Sequence, residues 1–78
     1  MRRYEDETFP VRLRRLRETR RLKRCVLSEL CGLNRNQITR YERGESAPTM
    51  DSLTALADFF EVSVDYLVCR THIPGNGR

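Results

Sequence analysis

The chain has 78 residues, 33% of them charged, with a net charge of +4 and a mean hydropathy of −0.65. That length suits one small domain, able to fold alone but with so modest a core that self-association is expected. No apolar run is long enough for a transmembrane helix, and the start, MRRYEDETFP, is acidic where a secretory signal needs an apolar stretch, so a cytoplasmic location is expected.

Residues 1–8 read as a flexible arm, residues 9–69 as the folded domain and residues 70–78 as a disordered tail rich in Pro, Gly and Asn. The first helix should run from Phe9 or Pro10 to about Arg20, since proline suits a first helical turn. Phe9, Val11, Leu13 and Leu16 form its apolar stripe, which leaves Arg12, Arg14, Arg15 and Arg20 mostly facing solvent. Leu22 then plugs the gap before a second helix, Arg24 to Cys31. Asn34 is a good N-cap for a third, Arg35 to about Arg43. A loop, Glu45 to Pro48, leads to Thr49, the expected cap of a fourth helix from Met50 to about Phe60, with Met50, Leu53, Leu56, Ala57 and Phe60 as its buried stripe. Ser63 should cap a fifth, Val64 to about Val68. No strand and no repeat is visible, so the fold class is all-α with five helices.

The segment RCVLSELCGLNRNQITRYER, Arg24 to Arg43, carries the most information. Leu27 and Cys31 share one face at i, i+4 spacing, and Ile38 and Tyr41 share another at i, i+3. Gly32 sits between the two helices, and Gly44 follows the second, both where a positive φ ends a helix. Ser28 is small enough for a close crossing, with its hydroxyl expected to bond the i−4 carbonyl. A second helix presented outward by such a crossing is a known probe of the DNA major groove.

Charge is distributed unevenly. Residues 9–44 hold eleven Lys/Arg against three Asp/Glu, whereas residues 45–78 hold two against five. The resulting basic lobe suits a phosphate backbone and salt-sensitive binding, and it coincides with the two-helix crossing. Cys25, Cys31 and Cys69 form an odd set without metal-ligand spacing, so neither a disulfide framework nor a zinc site is expected. The single histidine, His72, lies in the tail. With no phosphate loop, metal cluster or catalytic triad, neither enzymatic activity nor a cofactor is expected.

Projected at about 100° per residue with Arg35 at zero, Thr39, Arg43, Asn36 and Arg40 spread over an arc from about 40° to about 140°. Tyr41 and Ile38 fall opposite, near 240° and 300°, while Gln37 lies off the polar arc but near enough to the helix start to reach a base. Arginine can bond guanine bidentately, asparagine adenine, and a threonine methyl can touch thymine. Arg35, Asn36, Gln37, Thr39 and Arg40 are therefore the candidate base readers. Lys23, Arg24, Asn34, Arg43 and Ser46 are the candidate phosphate positioners, which set register without reading sequence.

These same residues carry a resemblance. LRETRRLKRCVLSELCGLNRNQITRYERGESAP, followed by DSLTALADFFEVSVDYLV, resembles the Cro/cI-type, or XRE-like, helix-turn-helix domains of phage repressors and related bacterial regulators. The resemblance spans about Phe9 to Val68. It implies a lambda-repressor-like five-helix fold and a homodimer on double-stranded DNA with an inverted-repeat operator. It also implies that Arg35, Asn36, Thr39 and Arg40 cover the base-reading positions, that Arg24 contacts the backbone or a flanking base, and that Arg17 and Glu42 form a charge pair tying the first helix to the third. The chain departs from the family pattern in having Ser28 for the usual Ala, Arg24 for the usual Gln, and Arg21 and Lys23 in a loop that usually holds Gly and Ser.

The expected function is a sequence-specific DNA-binding transcriptional regulator, with a repressor favoured although no residue sets the sign of regulation. The alternative is a protein-interaction module, such as an antitoxin-type partner-binding protein, offering Tyr66, Leu67 and Val68. Pro48, Thr49, Val64 and Tyr66 are candidates for a dimer interface. The residues fit a one-domain regulator or a piece of something larger.

Overall fold

The computed structural model describes residues 7–71 and 73–75, so most of the expected arm, His72 and the end of the expected tail lie outside the described residues. Among the described residues there are five helices and no strand: α1 Phe9–Thr19, α2 Arg24–Leu30, α3 Gln37–Glu42, α4 Met50–Phe60 and α5 Val64–Leu67. Thr49 Oγ1 accepts from the Ser52 amide at 3.1 Å and Ser63 Oγ from the Tyr66 amide at 3.0 Å, so α4 and α5 begin at the caps expected of them.

Helix ends follow from backbone geometry. Gly32 has φ 70°, and the pair of bonds Gly32 N–H to Glu29 O and Leu33 N–H to Ser28 O closes α2 as a Schellman motif. Gly44, at φ 72°, closes α3 in the same way, its N–H reaching Tyr41 O while the Glu45 N–H reaches Arg40 O. The end of α1 uses the same pattern without a glycine. Arg21 holds φ 56° while Leu22 N–H bonds Arg17 O, a conformation that costs a side-chain-bearing residue about 1–2 kcal/mol.

The core is one cluster: Leu13, Leu27, Ile38, Tyr41, Leu53, Leu56, Ala57, Phe60, Val62, Tyr66 and Leu67. Helix α3 packs on α2 and α1, and α5 packs on α4 and α1. Phe9 and Tyr41 meet edge to face at 5.9 Å, which joins α1 to α3.

Four expectations change. Arg12 is fully buried rather than solvent-facing, because its charge is met at once by Glu7 Oε1 (2.9 Å), Tyr66 O (2.8 Å), Thr71 O (3.0 Å) and the Tyr66 ring. Glu7, placed in the arm by composition, is buried by the same network, with Arg15 bonding both of its oxygens. Met50 is 67% exposed, since the core-facing stripe of α4 starts only at Leu53. Finally, α3 begins two residues later than expected. Asn34 O accepts the Gln37 N–H in an i→i+3 turn, which winds residues 35–36 more tightly than an α-helix, and the N-cap is Asn36 rather than Asn34. In the tail segment, exposed Pro74 accepts the Ser63 N–H through its carbonyl at 2.8 Å.

Candidate nucleic-acid interface

The interface is built on the crossing of α2 and α3. Leu27 and Ile38 are fully buried and Tyr41 nearly so, which fixes the core side of both helices. Ser28 is fully buried between them. Its hydroxyl accepts the Ile38 N–H at 3.2 Å across the crossing, so the expected i−4 carbonyl partner is replaced by the first turn of α3. That bond matters because Asn36, the N-cap, makes no side-chain cap bond of its own. One otherwise orphaned donor at the start of α3 is thus satisfied by the neighbouring helix.

With the core side fixed, Arg40 and Arg43 are exposed on α3 and at its end, and Asn34, Arg35 and Asn36 are exposed on the turn that leads into it. Thr39 is half-buried. Because Arg35 and Asn36 precede the first residue of α3, the regular helical projection does not describe them, and they sit at its leading edge instead. Gln37 is half-buried and donates from Nε2 to Ser46 Oγ at 3.2 Å, which ties the start of α3 to the loop after it. Lys23, the N-cap of α2, is exposed. Arg43 approaches Glu45 only at 3.9 Å, with both side chains more than half exposed, a contact worth little in water.

The carboxylate of α3 is treated differently. Glu42 Oε2 accepts Arg17 Nε at 2.6 Å and its Oε1 accepts Arg17 Nη2 at 3.1 Å, the bidentate pair that the family resemblance implied. Arg17 also donates to Leu22 O at 2.7 Å. A third donor was not foreseen: Arg24 Nε reaches Glu42 Oε1 at 3.1 Å. Arg24 and Glu42 lie 18 positions apart in the chain, so helical spacing held no signal for this contact. Three nitrogens from two arginines therefore cover one carboxylate, and the polar surface beside it keeps its positive sign.

Two other surfaces are less informative. Cys25, Glu29, Leu33 and Arg35 line a shallow groove beside the turn. Cys25 is exposed, while burial pushes the thiols of Cys31 and Cys69 above their ordinary range. At the other end of the molecule Tyr66 and Leu67 belong to the core, which removes them from the partner surface and, for Tyr66, from the dimer interface considered above. No described helix is long and apolar enough to cross a membrane.

Comparison with known proteins agrees with this geometry. Residues 13–67 match the helix-turn-helix family model. An uncharacterized HTH-type transcriptional regulator of Bacillus subtilis (strain 168), YobD, is 36% identical over 63 residues, covering 81% of this chain and 56% of its own length. The HTH-type transcriptional activator BcrR of Enterococcus faecalis is 33% identical over 60 residues, which is 77% of this chain but 29% of that protein. This chain thus spans only part of the curated relatives it matches. Among solved structures, the P22 c2 repressor in complex with synthetic operator 9T superposes with a TM-score of 0.75 at 27% identity, over 80% of this chain and 94% of that one.

Proposed function

The chain belongs to the Cro/cI-type helix-turn-helix family, and from that premise we propose that it is a sequence-specific double-stranded DNA-binding transcriptional regulator, a repressor, that inserts α3 into the major groove. One observation supports this reading above the others: the surface around α3 exposes Arg35, Asn36, Arg40 and Arg43 while its own carboxylate, Glu42, is covered by two arginines. A helix that packs for stability alone has no need to hide its one acid from solvent. A helix that approaches phosphates does, because an open carboxylate there is repelled.

The division of labour follows from position. Arg35, Asn36, Thr39 and Arg40 read base edges, with Gln37 buttressed by Ser46 at the start of α3. Lys23, Arg24, Asn34, Arg43 and the loop at Ser46 hold phosphates and set register. The protein acts as a homodimer on an inverted repeat, with half-sites about one helical turn, roughly 34 Å, apart. Half-buried Pro48 and Val64, with exposed Thr49 and Met50, supply the surface for self-association. The antitoxin-type alternative loses its main support, since Tyr66 and Leu67 are spent on the core.

Selection from a pool of random duplex DNA tests the whole reading. The expected result is an approximate inverted repeat, bound with an affinity that falls steeply with salt. Absence of an enriched site, together with a flat salt dependence, would sink it.

A further inference from the structure

We infer that Glu42 is a positioning residue for DNA contact: it grips Arg24 by Nε and presents the other end of that guanidinium, already oriented, to a backbone phosphate. The inference rests on the DNA-binding reading above and deepens it.

The geometry has three parts. The Glu42 side chain is 3% exposed and cannot itself meet solvent or DNA, whereas the Arg24 side chain bonded to it is 46% exposed. Glu42 is in turn locked from behind by the bidentate Arg17 contact, so the acceptor that holds Arg24 does not wander. Arg24 gives Glu42 its Nε, and its two terminal nitrogens take no partner among the described residues. A guanidinium has two hydrogen-bonding edges. With the Nε side engaged, what remains is the end-on fork of two terminal nitrogens, whose spacing matches a pair of phosphate oxygens.

The consequence is a reduced ordering cost. Arginine is among the most rotamer-rich side chains, and freezing it at an interface opposes binding. Here the tether orders it before DNA arrives. Charge is favourable too, since two arginines on one carboxylate leave a net positive cluster. Lysine at this position would keep the charge but would lose the planar group that bonds an acid at one edge and a phosphate at the other.

A double-mutant cycle in operator affinity provides the test, with Arg24→Ala, Glu42→Gln and the double variant measured across a salt series, and thermal unfolding recorded for each. Arg24→Ala should weaken binding about tenfold and lower the salt slope by about one, with selected sequence unchanged. In the Glu42→Gln background the same change should cost about threefold or less, because the arginine is no longer pre-oriented. An equal loss in both backgrounds overturns the inference. Should Glu42→Gln not fold, Arg24→Lys decides in the native background: affinity should drop several-fold with the salt slope kept, and native affinity would overturn the proposal. A change in base preference instead of salt slope would overturn the phosphate assignment. If the unmodified chain shows no salt-sensitive duplex binding, it is the DNA-binding reading that fails, a result separable from additivity in the cycle.

Discussion

Arg12 and Arg35 are the same side chain in opposite surroundings. Arg12, on α1, has no exposed surface and is bonded by a carboxylate, two backbone carbonyls and an aromatic face. Arg35, at the leading edge of α3, is exposed, and the groove it lines offers Cys25, Glu29 and Leu33. Composition assigns both to one basic lobe. In the structure, Arg12, Arg15 and Arg17 of α1 act as internal struts that join Glu7, α3 and α5, while the arginines around α3 remain available to an external anion. A count of basic residues therefore overstates the charge offered to a partner, because Arg12, Arg15 and Arg17 are engaged internally and Arg24 is shared.

If that contrast is right, removing a strut should cost far more stability than removing a reader. Arg12→Ala strips one cation from the buried Glu7 carboxylate, removes the donors to Tyr66 O and Thr71 O and empties a fully buried site, and it should destabilise the domain by about 3–5 kcal/mol in urea unfolding. A loss under about 1 kcal/mol would erase the distinction. Arg35→Ala and Asn36→Ala should leave unfolding unchanged while each costs roughly 1–3 kcal/mol of discrimination against the wrong base, read as relaxed specificity in site selection. Ser28→Ala lies between the two regions. It frees the Ile38 N–H at the buried crossing and should cost about 1 kcal/mol of stability, with hydrogen exchange at the start of α3 rising first. Lys23→Ala should do neither: binding to all sequences weakens about equally and the salt slope falls by about one.

The smallest expected effect is a dependence on pH. Arg15, opposed by burial and seconded by Arg12, holds the Glu7 carboxyl below its ordinary range. A carboxyl whose pKa is depressed on folding stabilises the protein fully above its unfolded-state value, and this stabilisation is lost as pH falls through the folded-state value. Stability should accordingly decline on acidification below about pH 4.5, in the ordinary glutamate range and beneath it, and Glu7→Gln should flatten that decline. An unaltered acid limb in the variant would show that the network does not discriminate between charge states.

Much of this was readable beforehand. Gly32 and Gly44 marked helix ends because few other residues enter the left-handed region cheaply, and Thr49 and Ser63 marked starts because their hydroxyls replace missing acceptors. Apolar spacing located Leu27, Ile38 and Tyr41 on the core side. The site was less legible at its edges. A helical projection assumes one regular helix, and the tight turn through residues 35–36 breaks that assumption for two candidate readers. Arg21 at positive φ could not have been foreseen, since the local preference of arginine opposes it and only the packing of Leu22 and the Arg17 carbonyl bond enforce it.

Local pattern, then, determined the five helices, the tight crossing and the basic character of the face, because capping, periodicity and glycine placement act over a few residues. Tertiary structure decided which charges are spent inside and which remain outside. Burial of Glu7 against Arg12 and Arg15, the Ser28 bond to Ile38, and the hold of Glu42 on Arg24 all join residues whose separation in the chain has no period, so they form only once packing brings the helices together; the Arg17–Glu42 pair alone was implied by the family resemblance.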